Sequence, residues 1–428
     1  MTHTCQTIVV RTNGFAYAAI RDNGAVHSFG LARCGGDSSR VRDQLRAGAT
    51  MLECTRWAFA AVVDGRLVAW GHAKCGGSLS SDAAAAEKVH YVVPNAGAFA
   101  AVTQDNRCVV WGAETCGGLL RSGDVITSVF SVVATDRAFC ALHMDGNLSK
   151  WGHIDDGGTT EFRSNSEKVS SRVCRVKCNA VMVAASRRAF VALEKTGRLL
   201  VWGHRHCGGS APRDVLTQCY VRVRGGDCGF AGITATGSVM TWGGYGATRI
   251  PAATPFMKHM PLDVHALLWG VIVSFADTPV SLAWSAFEST YMHCASPETS
   301  LNCDAPHIVA AVANATSAVL VYSDHSILTV GGQARAEVTI RAQAVVRGRA
   351  AKVVCNNRAF AVLCTDGAVY AWGDKYYGGY LTDIEMERLQ KHNCKDIVAL
   401  YFGFVAIPAS DAAMFEWGRG LALHAQYF

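Results

Sequence analysis

The chain has 428 residues, of which 50% are hydrophobic and 17% charged, with 42 glycines and only 9 prolines. That composition excludes a disordered tail, a collagen-like repeat and a small disulfide-stapled domain: the first lacks apolar content, the second needs strict glycine periodicity and the third is far shorter. With 40 Lys and Arg against 34 Asp and Glu the formal net charge is +6, short of the basic balance of a dedicated nucleic-acid binder.

The first residues, Met1 to Val10, have neither the basic start nor the continuous apolar core of a signal peptide, so export is not expected. We read an intracellular protein, cytoplasmic or nuclear, whose 17 cysteines are free and mostly buried thiols. The sequons at Asn147 and Asn314 then carry no glycan. The longest mostly apolar stretch, Val264 to Ala276, covers 13 residues, whereas a spanning helix needs about 20. No membrane span is predicted.

Along the chain an aromatic residue followed by Gly recurs at Phe29, Trp70, Trp111, Trp151, Trp202, Trp242, Trp372 and Trp417, with weaker counterparts at Trp284 and Val330. Spacings of 40 to 51 residues make ten copies of one unit, which account for nearly the whole length. The copies Ala58 to Gly71, Ala98 to Gly112, Ala189 to Gly203 and Ala359 to Gly373 are plainly alike. In each, a short run such as Ala58-Phe-Ala-Ala-Val62 is apolar on both alternating faces, which suits a strand covered on both sides. Asp64-Gly65, Asn23-Gly24, Asp145-Gly146 and Asp366-Gly367 then signal a tight hairpin. A second strand ends in the Trp, and the glycine after it (Gly71, Gly112, Gly152, Gly203, Gly243, Gly373 or Gly418) is free to take a positive φ. A third apolar run, such as Val89 to Val93 or Val129 to Val133, precedes the copy.

Three or four strands of about 5–6 residues fill a repeat of this length, which matches one antiparallel blade. The predicted class is therefore all-β, a β-propeller in which the recurring Trp fills the gap between blades. An open solenoid is disfavoured, because solenoid repeats are usually shorter or helical. We expect one propeller over residues 1–428, with a degenerate region at 251–345. Pro251 to Pro306 holds six of the nine prolines and lacks a clean Asp-Gly hairpin, so a split into two arcs is the alternative.

The pattern resembles the regulator of chromosome condensation repeat, built on Asp-Gly, Val-x-x-Trp-Gly and a following Gly-rich turn; Thr365 to Leu381 is the nearest copy. It is also similar to the short-repeat propeller of secreted β-lactamase inhibitor proteins. The resemblance implies a binding platform, in some members an exchange factor for a Ran-like GTPase that also contacts chromatin. Two departures stand out. Cys34-Gly35-Gly36, Cys75-Gly76-Gly77, Cys116-Gly117-Gly118 and Cys207-Gly208-Gly209 replace the family's Gly-Gln, and ten copies exceed its usual seven blades.

The repeated cysteines are read as small turn residues, since equivalent positions on successive blades lie too far apart to share an ion with ligands at about 2.0–2.3 Å. Cys174-x-x-x-Cys178 lacks the second pair of a zinc site. His72, His153 and His204 follow Trp-Gly, and with Lys74, Arg205 and His206 they are the candidate interaction residues on one face. Arg40, Arg42 and Arg46, and Arg187 with Arg188, are read as solvated loop faces. No nucleophile motif, phosphate loop or metal motif is visible, so no catalytic residue, metal or cofactor is assigned.

Among the connectors, Ser81 to Lys88 and Thr382 to His392 are read as helical, the second with a Thr382-x-x-Glu385 capping box. Gly152 to Val173 and Ser285 to Pro306 are extended. The functional expectation is a non-enzymatic scaffold that binds a protein partner through loops on one face. The alternatives are nucleotide exchange on a Ran-like GTPase with chromatin contact, and a carbohydrate-binding propeller.

Overall fold

The apolar run of each repeat becomes the middle strand of a small sheet. Strands Ala58–Val63, Ala98–Thr103, Gly229–Thr234 and Ala359–Cys364 are buried at every residue, which is why they show no polar alternation. In a computed structural model the protein is described at residues 7–121, 123–159, 172–244, 248–250, 261–266, 270–275, 281–285, 291–294, 308–314, 317–331, 346, 349–391, 393–409 and 414–418. These residues form ten antiparallel sheets of three or four sequential strands, the blade architecture of a β-propeller. No helix among them is long and apolar enough to cross a membrane.

Every repeat keeps one register. Phe59 pairs with Trp70, Phe99 with Trp111, Phe190 with Trp202 and Phe360 with Trp372. The weak copies obey it too, since Val271 pairs with Trp284 and Ala318 with Val330. In nine of the repeats the first strand carries a β-bulge at its second residue, as between Ala49 and Met51 or Val129 and Ser131. The bulged residue is turned outward, so Phe130, Val181 and Val221 are exposed.

The strands group into two compact units, residues 16–254, which hold five whole sheets, and residues 1–15 with 255–428, which hold four. In the first unit, each core lies between consecutive sheets. Ala58, Ala60 and Val62 of one repeat meet Phe99, Ala101 and Trp111 of the next. Ala98, Ala100 and Val102 in turn meet Phe139, Ala141 and Trp151. The Ala-Phe-Ala-Ala-Val motif thus presents small residues on its forward face and aromatics on its backward face, so that a large ring always lands on alanines.

The Gly-Gly turn completes this junction. The Trp111 indole Nε1 donates to the Gly76 carbonyl of the preceding repeat at 3.0 Å, and Trp70, Trp151, Trp202 and Trp242 reach Gly35, Gly117, Gly157 and Gly208 in the same way at 2.9–3.2 Å. Each Trp also stacks on its own Phe, with centroids 5.0–5.6 Å apart. In the second unit Trp417 and Gly378 repeat the bond at 3.0 Å.

The helical connectors are shorter at the first site and as expected at the second. Ser81–Ala84 forms one turn capped by Ser80, and the chain leaves it through Lys88 at φ 52°. Helix Asp383–Lys391 carries the expected box: Thr382 N donates to Glu385 Oε2 at 2.8 Å, and Glu385 N to Thr382 Oγ1 at 3.3 Å. Most of the extended connectors Gly152 to Val173 and Ser285 to Pro306 falls outside the described residues.

Candidate functional site

Two kinds of turn meet on one face of the first unit. One is the two-residue turn just before each Ala-Phe strand: Arg56-Trp57, Ala96-Gly97, Asp136-Arg137, Arg187-Arg188 and Asp227-Cys228. The other is the short 3-10 turn after each Trp-Gly, at Ala73–Cys75, Glu114–Cys116, Ile154–Asp156 and Arg205–Cys207. A polar residue ahead of the first turn ties the two together. Thr55, Thr135 and Ser186 hydroxyls donate to the carbonyls of Cys75, Asp156 and Cys207 at 2.7–2.9 Å, and the Asn95 amide donates to Cys116 at 2.8 Å.

The first kind of turn is also laced from repeat to repeat by the backbone. Arg56 N donates to Ala96 O at 3.2 Å, Ala96 N to Asp136 O at 3.0 Å, Asp136 N to Arg187 O at 2.8 Å and Arg187 N to Asp227 O at 3.0 Å. Satisfying these amides within the protein fixes the turns, and side chains they carry are held on a rigid rim.

These turns enclose a cavity of about 650 Å³ lined by Arg56, Arg137, Arg187, Arg188, Asp136 and Asp156 together with Trp57, Ala96, Gly97 and Ala113. Asp156 stands where four other copies have Cys (Cys34, Cys75, Cys116 and Cys207), and its side chain is 0% exposed. Arg137 grips it through Nε and Nη2 at 2.7 and 3.3 Å, and Arg188 through Nε at 2.6 Å. Burial alone would raise the Asp156 carboxyl, but the hydrogen bonds from Arg137 and Arg188 outweigh it and hold the group below the ordinary carboxylate value. The same bond pushes Arg137 upward. A second trio lies beside it, with Arg187 Nε 3.0 Å and Arg56 Nη2 3.5 Å from Asp136 Oδ2.

Arg187 is exposed, as expected of a loop residue, yet it is also paired, while Arg188 is part-buried and is not a solvated loop residue. Both sit on a laced turn and reach carboxylates of neighbouring repeats, which a loop free in water would not supply. Arg40, Arg42 and Arg46 are exposed, as expected.

Cys75, Cys116, Cys207 and Cys228 line the same cavity. Burial raises all four thiols, Cys228 to about 11 with Asp227 adding to the effect. They stay protonated at neutral pH and serve as small apolar wall. No group of three or more His, Cys, Asp or Glu is placed for a metal ion among the described residues.

The histidine and basic candidates fall on the 3-10 turns of this face but outside the cavity wall. His72, Lys74, Arg205 and His206 are exposed, while His153 and His204 are half-buried. Burial, then Arg137 for His153 and Arg188 for His204, lowers both imidazoles, so both are neutral at pH 7. The ionic lining was missed because it lies where the copies differ. Asp156 in the Cys position, and charges in a turn that holds Ala96-Gly97 in another copy, were the available signal.

No protein-family model matches the chain, and no curated protein matches it. Solved structures similar to it include Prp20p from Saccharomyces cerevisiae, 15% identical, covering 61% of this chain and 80% of that one, with a TM-score of 0.37. Human WBSCR16 is 15% identical over 63% of this chain and 86% of its own, also at 0.37. The computationally designed Ika8 protein is 12% identical over 77% and 97%, at 0.39. In its repeat and its blades the chain resembles the regulator of chromosome condensation β-propellers.

Proposed function

We propose that the protein is a non-enzymatic propeller scaffold that binds a protein partner through the turn face of residues 16–254. The observation that carries this reading is the arginine-lined cavity, with its guanidinium groups fixed on laced turns and protonated thiols for walls. Rigid turns bearing residues that vary between otherwise uniform repeats are a recognition surface. The exposed Lys74, Arg205 and His206 on the adjacent turns extend it.

A photo-crosslinking residue placed at Lys74 or at Arg205 is expected to trap one reproducible protein from the native source. The same residue at the opposite hairpins, Asp64 or Asp145, is expected not to. Equal trapping from both ends, or from neither, overturns the reading.

A further inference from the structure

The cavity holds more arginines than carboxylates. In the wall Arg56, Arg137, Arg187 and Arg188 face Asp136 and Asp156, and Asp227 on the next turn also acts on Arg187, which leaves a small positive surplus. The Asp156 trio is a closed frame, since both its oxygens are taken and no water reaches it. Arg187 and Arg188 are engaged differently. Each meets its carboxylate through Nε alone, at 3.0 and 2.6 Å, so the terminal nitrogens of both guanidinium groups have no hydrogen bond among the described residues. Adjacent in sequence, they offer two forks of the kind that take a carboxylate bidentately.

We infer that this cavity receives the carboxylates of an acidic peptide segment of the partner, with the forks of Arg187 and Arg188 as the principal contacts and the exposed Arg56, held only by a 3.5 Å bond to Asp136, as an outer one; the inference rests on the protein-binding reading above. Three features favour carboxylates on a peptide over a phosphate backbone. Asp136 and Asp156 already show that these guanidinium groups accept carboxylates here. A small positive surplus suits spaced side chains, whereas a nucleic-acid strand brings one charge per residue and would press it against Asp136. Trp57, Ala96, Gly97 and Ala113 in the wall provide apolar contact for a peptide body.

The test is fluorescence anisotropy of the full-length protein with a labelled dodecapeptide of alternating Glu and Gly, against its Gln counterpart. The Glu peptide is expected to bind at least about tenfold more tightly, the difference a charge-assisted hydrogen bond makes. Arg187→Gln and Arg56→Gln, at side chains 51% and 56% exposed, should each weaken it about five- to tenfold with an unchanged melting temperature. Arg187→Lys should weaken it less, because the charge remains and only the fork is lost. Arg42→Gln, outside the cavity, should leave it unchanged.

Equal binding of the Gln peptide, or an equal loss with Arg42→Gln, overturns the inference. So does displacement of the Glu peptide by an oligonucleotide of equal charge at lower concentration than by the unlabelled peptide. If the Glu peptide fails while the crosslinked partner still maps to the turn face, the acidic chemistry falls and the protein-binding reading stands. If the Glu peptide binds through Arg187 and no partner is trapped, the reverse holds.

Discussion

At Gly76 the backbone sits at φ +102°, and a methyl group added there would lie 2.5 Å from the Phe99 ring of the next repeat. Left-handed strain and the clash act together, so Gly76→Ala should cost about 2–4 kcal/mol in a denaturant melt. Trp111→Phe keeps most of the packing but strands the buried Gly76 carbonyl, a loss of about 1–3 kcal/mol. Asp156 joins stability to pH. Its folded value lies below the ordinary 3.8, so its contribution is present above that value and is lost as pH falls below it. Asp156→Asn should be about 2–3 kcal/mol less stable at pH 7, less than the ~3–5 of a wholly buried pair because the arginines are about a third exposed. The gap should narrow below about pH 4 in parallel melts. Trp and Gly roles were legible because they repeat. The Asp156 and Arg188 roles were not, because a search for sameness passes over the copy that departs from it.

The hairpins show what an element's sequence does and does not specify. Asp64 and Gly65 both take positive φ, at 48° and 77°, making the two-residue turn that Asp-Gly signals. The copy Ala98 to Gly112 has one residue more, and there Asn106 N donates to Thr103 O while only Asn106, at φ 61°, is left-handed. That longer loop is the common one, shared by the copies ending at Gly152, Gly203 and Gly373, and the Phe–Trp register is the same with either length. Helix Asp383–Lys391 was legible through its capping box; Thr382→Ala should cost about 1 kcal/mol, read as faster amide hydrogen exchange in that helix. Ser81 to Lys88 yielded a single helical turn, after which Lys88 enters the left-handed region to start the next strand at Val89. Propensity carries no information about that exit.

Across residues 16–254 each repeat closes the one before it, through the Trp-to-Gly bond at one end and strand-to-hairpin bonds such as Val89 N to Gly65 O at 2.9 Å at the other. Stability in such an array is carried by nearest neighbours. Trp111→Phe should therefore speed amide exchange most in the repeats of Trp70 and Trp111 and least in that of Trp242. The repeat count and order were open to reading from Trp-Gly spacing, because periodic cores need periodic residues. The cavity was not, since it forms only when turns more than 100 residues apart, such as Arg56 and Arg188, are brought to one face. By the proposed reading this face binds the partner. Amide hydrogen exchange on the full-length protein, with and without the partner recovered by crosslinking, tests it most directly. Protection is predicted at the turns 73–75, 114–116, 154–156 and 205–207 and at 187–188. Protection confined to the hairpins at 64–65, 104–106 and 145–146, with the turn face unchanged, would contradict it.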